Sequence, residues 1–437
     1  MCGIVGFVSN NKNEELINNL SNSLKHRGPD KISYKIIEFN GKYLHLGSSR
    51  LSITGLIDGD MPMVDEQGNA LIYNGEIYEL DKMKSKYSIE SNSKSDTRFL
   101  FNFLKENSTN YLSDLNGMFA FCFFDKKNET IHLVRDGFGI KPLYYGHTGN
   151  RFVFASELKP FCELSDWNRK IDREALNLFC QFNYVPAPKT IYQNIYKLEA
   201  GCFLQVTAGS QPKITQYWDL RSYYENKSLE ISEQDLISAV DKSLREAVGR
   251  RLVSDVPVGA LLSGGIDSTA VVTMMSQIQE KRIRTFTIGF EDNAYNEADH
   301  AKKIAQYLGT DHTEVVMHPS KALDLISDIP NIFDEPFGDS SALPSYLVSA
   351  LARRDVTVAL SGDGGDEVFF GYNRYQTAPK FWQKARWIPY SLRHLIGKTI
   401  QIPNARLWDR LARLLPESKR PNTFGVKAHK LGAILQQ

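Results

Sequence analysis

Apolar residues along roughly the first two hundred positions come in short runs, CGIVGFV, YLHLGSS, NALIYNG, MFAFCFFD, IHLVRD and RFVFASE, separated by turns rich in Gly, Asn and Asp. Runs of that length bounded by turn residues predict β-strands, so this half reads as a layered, sheet-rich domain. The polar stretch TAGSQPKITQYWDLRSYYENKSLEIS carries no sustained period and suits a connector. Beyond it, strand and helix patterns alternate: VGALL, TAVVTMMSQIQ, TFTIGF, NEADHAKKIAQYL, HTEVVM, and LPSYLVSALARR leading into VTVAL. Such alternation predicts a parallel sheet covered by helices, with ligands at the carboxyl ends of its strands. The loops after VGALL, TFTIGF and VTVAL are therefore where a ligand is expected. No fixed-period repeat or low-complexity tract interrupts the pattern.

A chain of 437 residues is too long for one ordinary core. The expected architecture is α/β in two domains, residues 2–215 and 230–437. Lys plus Arg number 52 against 51 for Asp plus Glu, which gives no electrostatic reason to expect nucleic acid or an anionic membrane as partner. Small molecules are the expected partners. No stretch approaches the roughly 20 apolar residues of a membrane span, and MCGIVGFVSNNKNEE lacks the basic start and apolar run of a signal peptide. These features predict a soluble, cytoplasmic protein. The five cysteines, Cys2, Cys122, Cys162, Cys180 and Cys202, form no CxxC pair, and their odd count argues against a disulfide framework. Most are expected to be buried thiols.

Cys2 is different. Removal of Met1 would leave its thiol beside its own α-amine, whose reference pKa of about 7.7–8.0 suits it to accept the thiol proton. Thioester chemistry also needs an oxyanion hole. Asn74 and Gly75, at the end of the apolar run LIYNG, can supply a side-chain amide and an unobstructed backbone N–H, although NG alone is equally a hairpin turn. An amino-acid substrate needs a cation for its carboxylate and an anion for its ammonium, roles that Arg50 and Asp96 fit chemically.

Taken together and in order, MCGIVGF, KHRGPD, SRLSI, YNGEIYE, SDT, LNGMFAF and RDGFGIKPLYY resemble the landmarks of class II glutamine amidotransferases. The resemblance covers nearly the whole first half and implies the N-terminal-nucleophile hydrolase fold, an αββα sandwich. It implies Cys2 as nucleophile, Asn74 and Gly75 as oxyanion hole, and Arg50, Asn74, Gly75, Glu76 and Asp96 as glutamine contacts. Two departures, Arg98 after SDT and Gly137 within RDGFG, touch none of these roles.

In ALLSGGIDSTAVV a strand runs into Ser263, Gly264, Gly265, Ile266, Asp267 and Ser268 and then a helix. Small residues there let backbone N–H groups approach phosphate oxygens at a helix N-terminus, and Asp267 could hold Mg²⁺ on a pyrophosphate. The absence of GxxxxGK[ST] argues against γ-phosphate transfer. SGGxDS resembles the PP-loop of enzymes that split ATP between the α- and β-phosphates. The run VALSGDGGDEVFFGY repeats the arrangement of apolar strand, glycine loop and carboxylates.

With both halves considered, the chain resembles the glutamine-hydrolysing asparagine synthetases, whose PP-loop domain has a parallel sheet. That resemblance implies ATP contacts at Leu262, Ser263, Gly264, Gly265, Asp267, Ser268, Ile288, Ser361 and Gly362. It implies Asp363 as the acidic residue supporting a β-aspartyl-AMP intermediate, and Asp366 with Asp267 at Mg²⁺. Glutamine, aspartate and ATP are then the substrates, and a homodimer is compatible with the family. The lysine region that follows the SGDGGDE loop in such proteins is not matched before GAILQQ, so the second domain is expected to be incomplete. Two other readings share these motifs. One is an amidotransferase acting on a sugar acid in surface polysaccharide synthesis, the other a glutaminase or sensor alone.

Overall fold

The computed structural model describes residues 1–90, 93–207, 210–225, 231–290, 297–414 and 424–436. Among them, the first half forms β1 (Gly3–Ser9), β2 (Lys31–Phe39), β3 (Lys42–Arg50), β4 (Met63–Val64), β5 (Ala70–Ile77) and β6 (Gly117–Asp125). It continues with β7 (Thr130–Arg135), β8 (Tyr144–Thr148), β9 (Arg151–Ala155), β10 (Ile195–Lys197), β11 (Cys202–Thr207) and β12 (Lys213–Gln216). These strands make two six-stranded sheets, ordered β10-β8-β9-β1-β3-β2 and β12-β11-β7-β6-β5-β4.

The unbroken apolar runs are explained by burial on both faces. In β6, Ala120, Cys122 and Phe124 enter the core between the sheets, beside Ile4 and Leu46 of the first sheet. Phe119, Phe121 and Phe123 point the other way, towards Phe99, Leu100 and Phe103 of the helix Asp96–Asn107. Val5 and Phe7 of β1 likewise pack outward on Ile17 and Leu20 of the helix Glu14–Ser23, which Asn13 caps by accepting from the Leu16 amide at 2.9 Å. The result is helix, sheet, sheet and helix in layers: the αββα sandwich. The expected connector differs from the structure in one respect. Its KITQ segment is strand β12, paired antiparallel with β11.

A second, four-stranded sheet system is built from β13 (Val258–Leu261), β14 (Arg284–Phe290), β15 (Asp311–Met317) and β16 (Val358–Leu360), ordered β15-β14-β13-β16 and parallel throughout. The helices Ile266–Ile278, Ala298–Leu308 and Ala342–Ala352 connect and cover these strands. The chain moves outward from β13 to β14 and β15, then returns to the other side of β13 as β16. Such a reversal opens a crevice at the carboxyl ends of the two strands, here β13 and β16.

The chain forms two compact units, Met1–Ser361 and Gly362–Gln437. The parallel sheet thus shares the first unit with the sandwich. Asp334 accepts the Leu158 and Lys159 amides at 2.6 and 3.2 Å and pairs with the Lys159 ammonium, while Glu335 pairs with Lys197. Asp255 accepts the Gly55 amide at 3.0 Å and donates its own amide to Ile53 at 3.0 Å. The second unit is helical among the described residues, with Gly365–Phe369, Asn373–Ala385, Tyr390–Gln401, Ala405–Ala412 and Phe424–Leu435. No helix among the described residues is long and apolar enough to cross a membrane.

Candidate functional site

A cavity of about 290 Å³ opens where the start of β1 and the end of β3 in one sheet meet β5 and the start of β6 in the other. Its lining includes Met1, Cys2, Arg50, Leu51, Ile53, Thr54, Tyr73, Asn74, Gly75, Glu76, Asp96, Met118, Lys141, Thr357, Val358 and Ala359. Cys2, Arg50, Asn74, Gly75, Glu76 and Asp96, scattered over the first 96 positions of the sequence, are therefore brought to one place.

Strand pairing explains why. Gly3 pairs with Ser49, so Cys2 falls beside the chain leaving β3, where its Sγ accepts the Leu51 amide at 3.4 Å and lies 3.6 Å from the Leu51 carbonyl. Burial pushes the thiol up; the Leu51 hydrogen bond and the Met1 amine oppose this, and the Glu76 and Asp96 charges add to it. The α-amine of Met1 is itself pushed down to about 5, chiefly by burial. Arg50 is 6% exposed, with Nη1 donating to Asp60 Oδ1 at 2.8 Å and Nη2 to the Gly55 carbonyl at 2.7 Å.

Along β5, Ala70 and Ile72 face the core between the sheets, and the alternation of a strand carries Asn74 and Glu76 onto that same face. Asn74 is 0% exposed, and neither its Nδ2 nor its Oδ1 has a hydrogen-bond partner. A buried amide left unpaired costs about 1–3 kcal/mol. It is explained by a ligand that completes it. At Gly75 an added Cβ would meet the Met118 carbonyl oxygen at 2.4 Å and the Tyr73 ring at 2.7 Å, so no larger residue fits this position without displacing them.

Asp96 begins the helix Asp96–Asn107 and accepts from Tyr73 Oη at 2.8 Å, from the Ile77 amide at 3.2 Å and from Thr54 Oγ1 at 3.4 Å. Thr54 Oγ1 also lies 3.3 Å from Glu76. Burial holds both carboxyls above the ordinary carboxylate range, and the Asp96 charge raises Glu76 further. Two buried carboxylates this close favour retaining a proton until a cation replaces it.

The second candidate site follows β13. Gly264 has φ +85°, and a Cβ there would meet the Ala301 amide nitrogen at 2.9 Å. Ser263 and Ser268 hydroxyls lie 3.0 Å apart, and the Ser263 hydroxyl accepts the Gly265 amide at 3.2 Å. Gly265 caps the helix Ile266–Ile278, and Asp267 stands in its first turn. This glycine-lined cradle at a helix N-terminus fits a phosphate group. Leu262 and Ile288 are placed differently from the rest of the loop. Leu262 is buried beside Val272 and Met275, and Ile288 packs near Phe286 and Leu351.

Ser361 directly follows β16. Gly362, Asp363 and Asp366 belong to the second unit, where the Asp366 carbonyl accepts the Gly371 amide at 3.0 Å. Among the described residues, no cluster of three or more His, Cys, Asp or Glu side chains could hold a metal on protein ligands alone. Carboxylate oxygen from Asp267 still fits Mg²⁺, which binds through one or two carboxylates together with substrate phosphates.

Lys141, Thr54, Tyr73 and the β16 residues were not singled out by motif reasoning. Lys141 lies within RDGFGIKPLYY, but its place depends on a turn folded against residues far away in sequence. All five cysteines are free. Cys122 and Cys202 are buried as expected, Cys2 and Cys162 half-buried, and Cys180 exposed.

Two family profiles match the chain: one described as a glutamine amidotransferase domain, over residues 1–218, and one described as asparagine synthase, over residues 239–436. A Methanocaldococcus jannaschii protein provisionally named asparagine synthetase (glutamine-hydrolysing) 2 is 38% identical over 85% of this chain and 76% of its own length. Asparagine synthetase (glutamine-hydrolysing) 1 of Bacillus subtilis is 34% identical over 86% of this chain and 60% of its own. A Mycobacterium tuberculosis relative with a provisional name of the same kind is 30% identical over 91% and 64%. The chain spans between 60% and 76% of the length of these relatives.

Proposed function

The chain belongs to the glutamine-hydrolysing asparagine synthetase family, a family of carbon–nitrogen ligases, and from that premise we propose that it hydrolyses glutamine at Cys2 and delivers the ammonia to an ATP-activated aspartate. The observation that carries this reading is the fully buried, unpartnered amide of Asn74 in the cavity that also holds Cys2 and two carboxylates.

In this mechanism Arg50 receives the α-carboxylate of glutamine, and Glu76 and Asp96 receive its α-ammonium. The Cys2 sulfur attacks the side-chain carbonyl. The developing oxyanion accepts from Asn74 Nδ2 and the Gly75 N–H, donors already in place and shielded from water. The thiol proton is passed to the amide nitrogen, which departs as ammonia, and water then releases glutamate from the thioester.

Ammonia must travel unprotonated to remain a nucleophile. The cavity wall formed by Met118, Val358 and Ala359 is apolar, and β16 carries on from there to Ser361 at the crevice of the parallel sheet. At that crevice the backbone around Ser263, Gly264 and Gly265 cradles the ATP phosphates; in line with the family resemblance, Asp363 is the acidic residue that supports the β-aspartyl-AMP intermediate. Mg²⁺, when bound, would draw charge from the leaving pyrophosphate, with Asp267 and Asp366 as its carboxylate donors. Aspartate's β-carboxylate displaces pyrophosphate from ATP, and ammonia displaces AMP to give asparagine.

The test combines glutamine, ATP, Mg²⁺ and aspartate. Cys2→Ala should lower glutamate release by about a thousandfold or more. Asp267→Ala should abolish pyrophosphate release while leaving glutamate release intact. Undiminished glutamate release from Cys2→Ala would overturn the nucleophile assignment, and pyrophosphate release without asparagine would remove aspartate as acceptor.

A further inference from the structure

Lys141 is 5% exposed and lines the Cys2 cavity. Its backbone is fixed on both sides: its amide donates to Asp136 Oδ2 at 2.9 Å, and its carbonyl accepts from Arg135 Nε at 2.9 Å. Asp136 also accepts the Phe119, Phe138 and Ile140 amides at 3.1, 3.1 and 3.0 Å. The turn carrying Lys141 is thus pinned. Yet among the described residues its ammonium forms no ion pair or hydrogen bond. Its Nζ is not shut off from solvent, and a cation lining so enclosed a cavity favours an anion beside it.

The charges around the nucleophile suggest what pairs it. Glu76 and Asp96 both oppose ionisation of Cys2, and even with a proton shared between them a thiolate would add a further negative charge to the cavity. The other cations nearby are committed. Arg50 is held by Asp60 and the Gly55 carbonyl; Arg27 donates to Glu157 at 2.8 Å and to the Cys2 carbonyl at 3.0 Å. The Met1 amine has its charge opposed chiefly by burial. Lys141 has its own charge opposed by burial and by Arg27, and supported by Glu76, Cys2 and Asp136.

We propose that Lys141 is a positioning residue for the nucleophile, an ammonium that stabilises the Cys2 thiolate, and the anion formed on attack, against the neighbouring carboxylates. The role rests on the reading of Cys2 as nucleophile. It requires no bond to Lys141. The thiol proton still leaves with ammonia, and the lysine keeps its own proton throughout.

The experiment uses the full chain and its Lys141→Met and Lys141→Arg variants. Alkylation of Cys2 by iodoacetamide is followed from about pH 6 to about pH 10 by mass spectrometry of the N-terminal peptide, so that exposed Cys180 does not contribute. In Lys141→Met the alkylation midpoint should rise by about one pH unit, about tenfold less thiolate at neutral pH. Its glutaminase kcat should fall by about tenfold or more with KM within about twofold, and Lys141→Arg should restore both.

An unchanged midpoint with unchanged kcat in Lys141→Met overturns the proposal. So does a raised KM with an unchanged midpoint, which would make Lys141 a glutamine contact. Failure of Lys141→Arg alongside Lys141→Met, with no shift in either midpoint, would leave it a merely structural residue. Full activity in Cys2→Ala would instead sink the nucleophile reading itself, so the two failures are told apart.

Discussion

The two carboxyls at the floor of the cavity set a pH dependence of their own. Burial, together with the Asp96 charge acting on Glu76, raises both above their unfolded values. The sign follows directly: the empty folded state favours the protonated pair, so this contribution to stability is present at acid pH and lost as pH rises beyond the ordinary carboxylate range. The α-ammonium of glutamine competes with that proton. Glutamine should therefore bind more tightly as pH rises towards neutrality, releasing up to about one proton per site. Calorimetric titration near neutral pH in two buffers of different ionisation enthalpy measures this release. A buffer-independent binding heat would rule out the shared proton.

Between secondary-structure elements, the segment joining β3 to β4 contributes Leu51, Ile53 and Thr54 to the cavity, and it is tied at two points to Asp255, just before β13. Asp255→Ala removes the acceptor of the Gly55 amide while leaving every proposed catalytic group in place. The segment should loosen, raising KM for glutamine about threefold to tenfold with a smaller change in kcat, as steady-state glutaminase assays would show. This contact is invisible in the sequence, because it joins positions two hundred residues apart. The strands that bury both faces are legible, as in MFAFCFFD, because every position is apolar whichever way it points. Strand β2 escapes notice because KISYKIIEF is half-exposed along its length, and β4 because it has two residues. Among site residues, those within distinctive motifs are legible. The roles of Lys141 and Ala359, though both fall within such motifs, and that of Thr54 are not, since their place in the Cys2 cavity is a product of tertiary packing.

At the scale of the whole first unit, Asp334 fastens the parallel-sheet region to the sandwich through two amides and one ammonium. Lys159 also reaches Glu157, which pairs with Arg27, and Arg27 holds the Cys2 carbonyl. Burial opposes ionisation of Glu157, but hydrogen bonds from His26 and Arg27 outweigh it and carry the carboxyl down to about 2. Asp334→Ala strands two amides and leaves the Lys159 ammonium with Glu157 alone, and should cost about 2–4 kcal/mol in urea unfolding. A change below about 0.5 kcal/mol would show that the fastening is slack. Strand β16 adds a further consequence. Its first residues wall the chamber where ammonia would be made, and the chain leaving its far end begins the SGDGGDE loop. From Thr357 to Ser361 an extended chain covers roughly 13 Å. Over so short a length a strand held by its hydrogen bonds to β13 is a rigid spacer, so the distance from the chamber wall to Ser361 is set by the sheet itself.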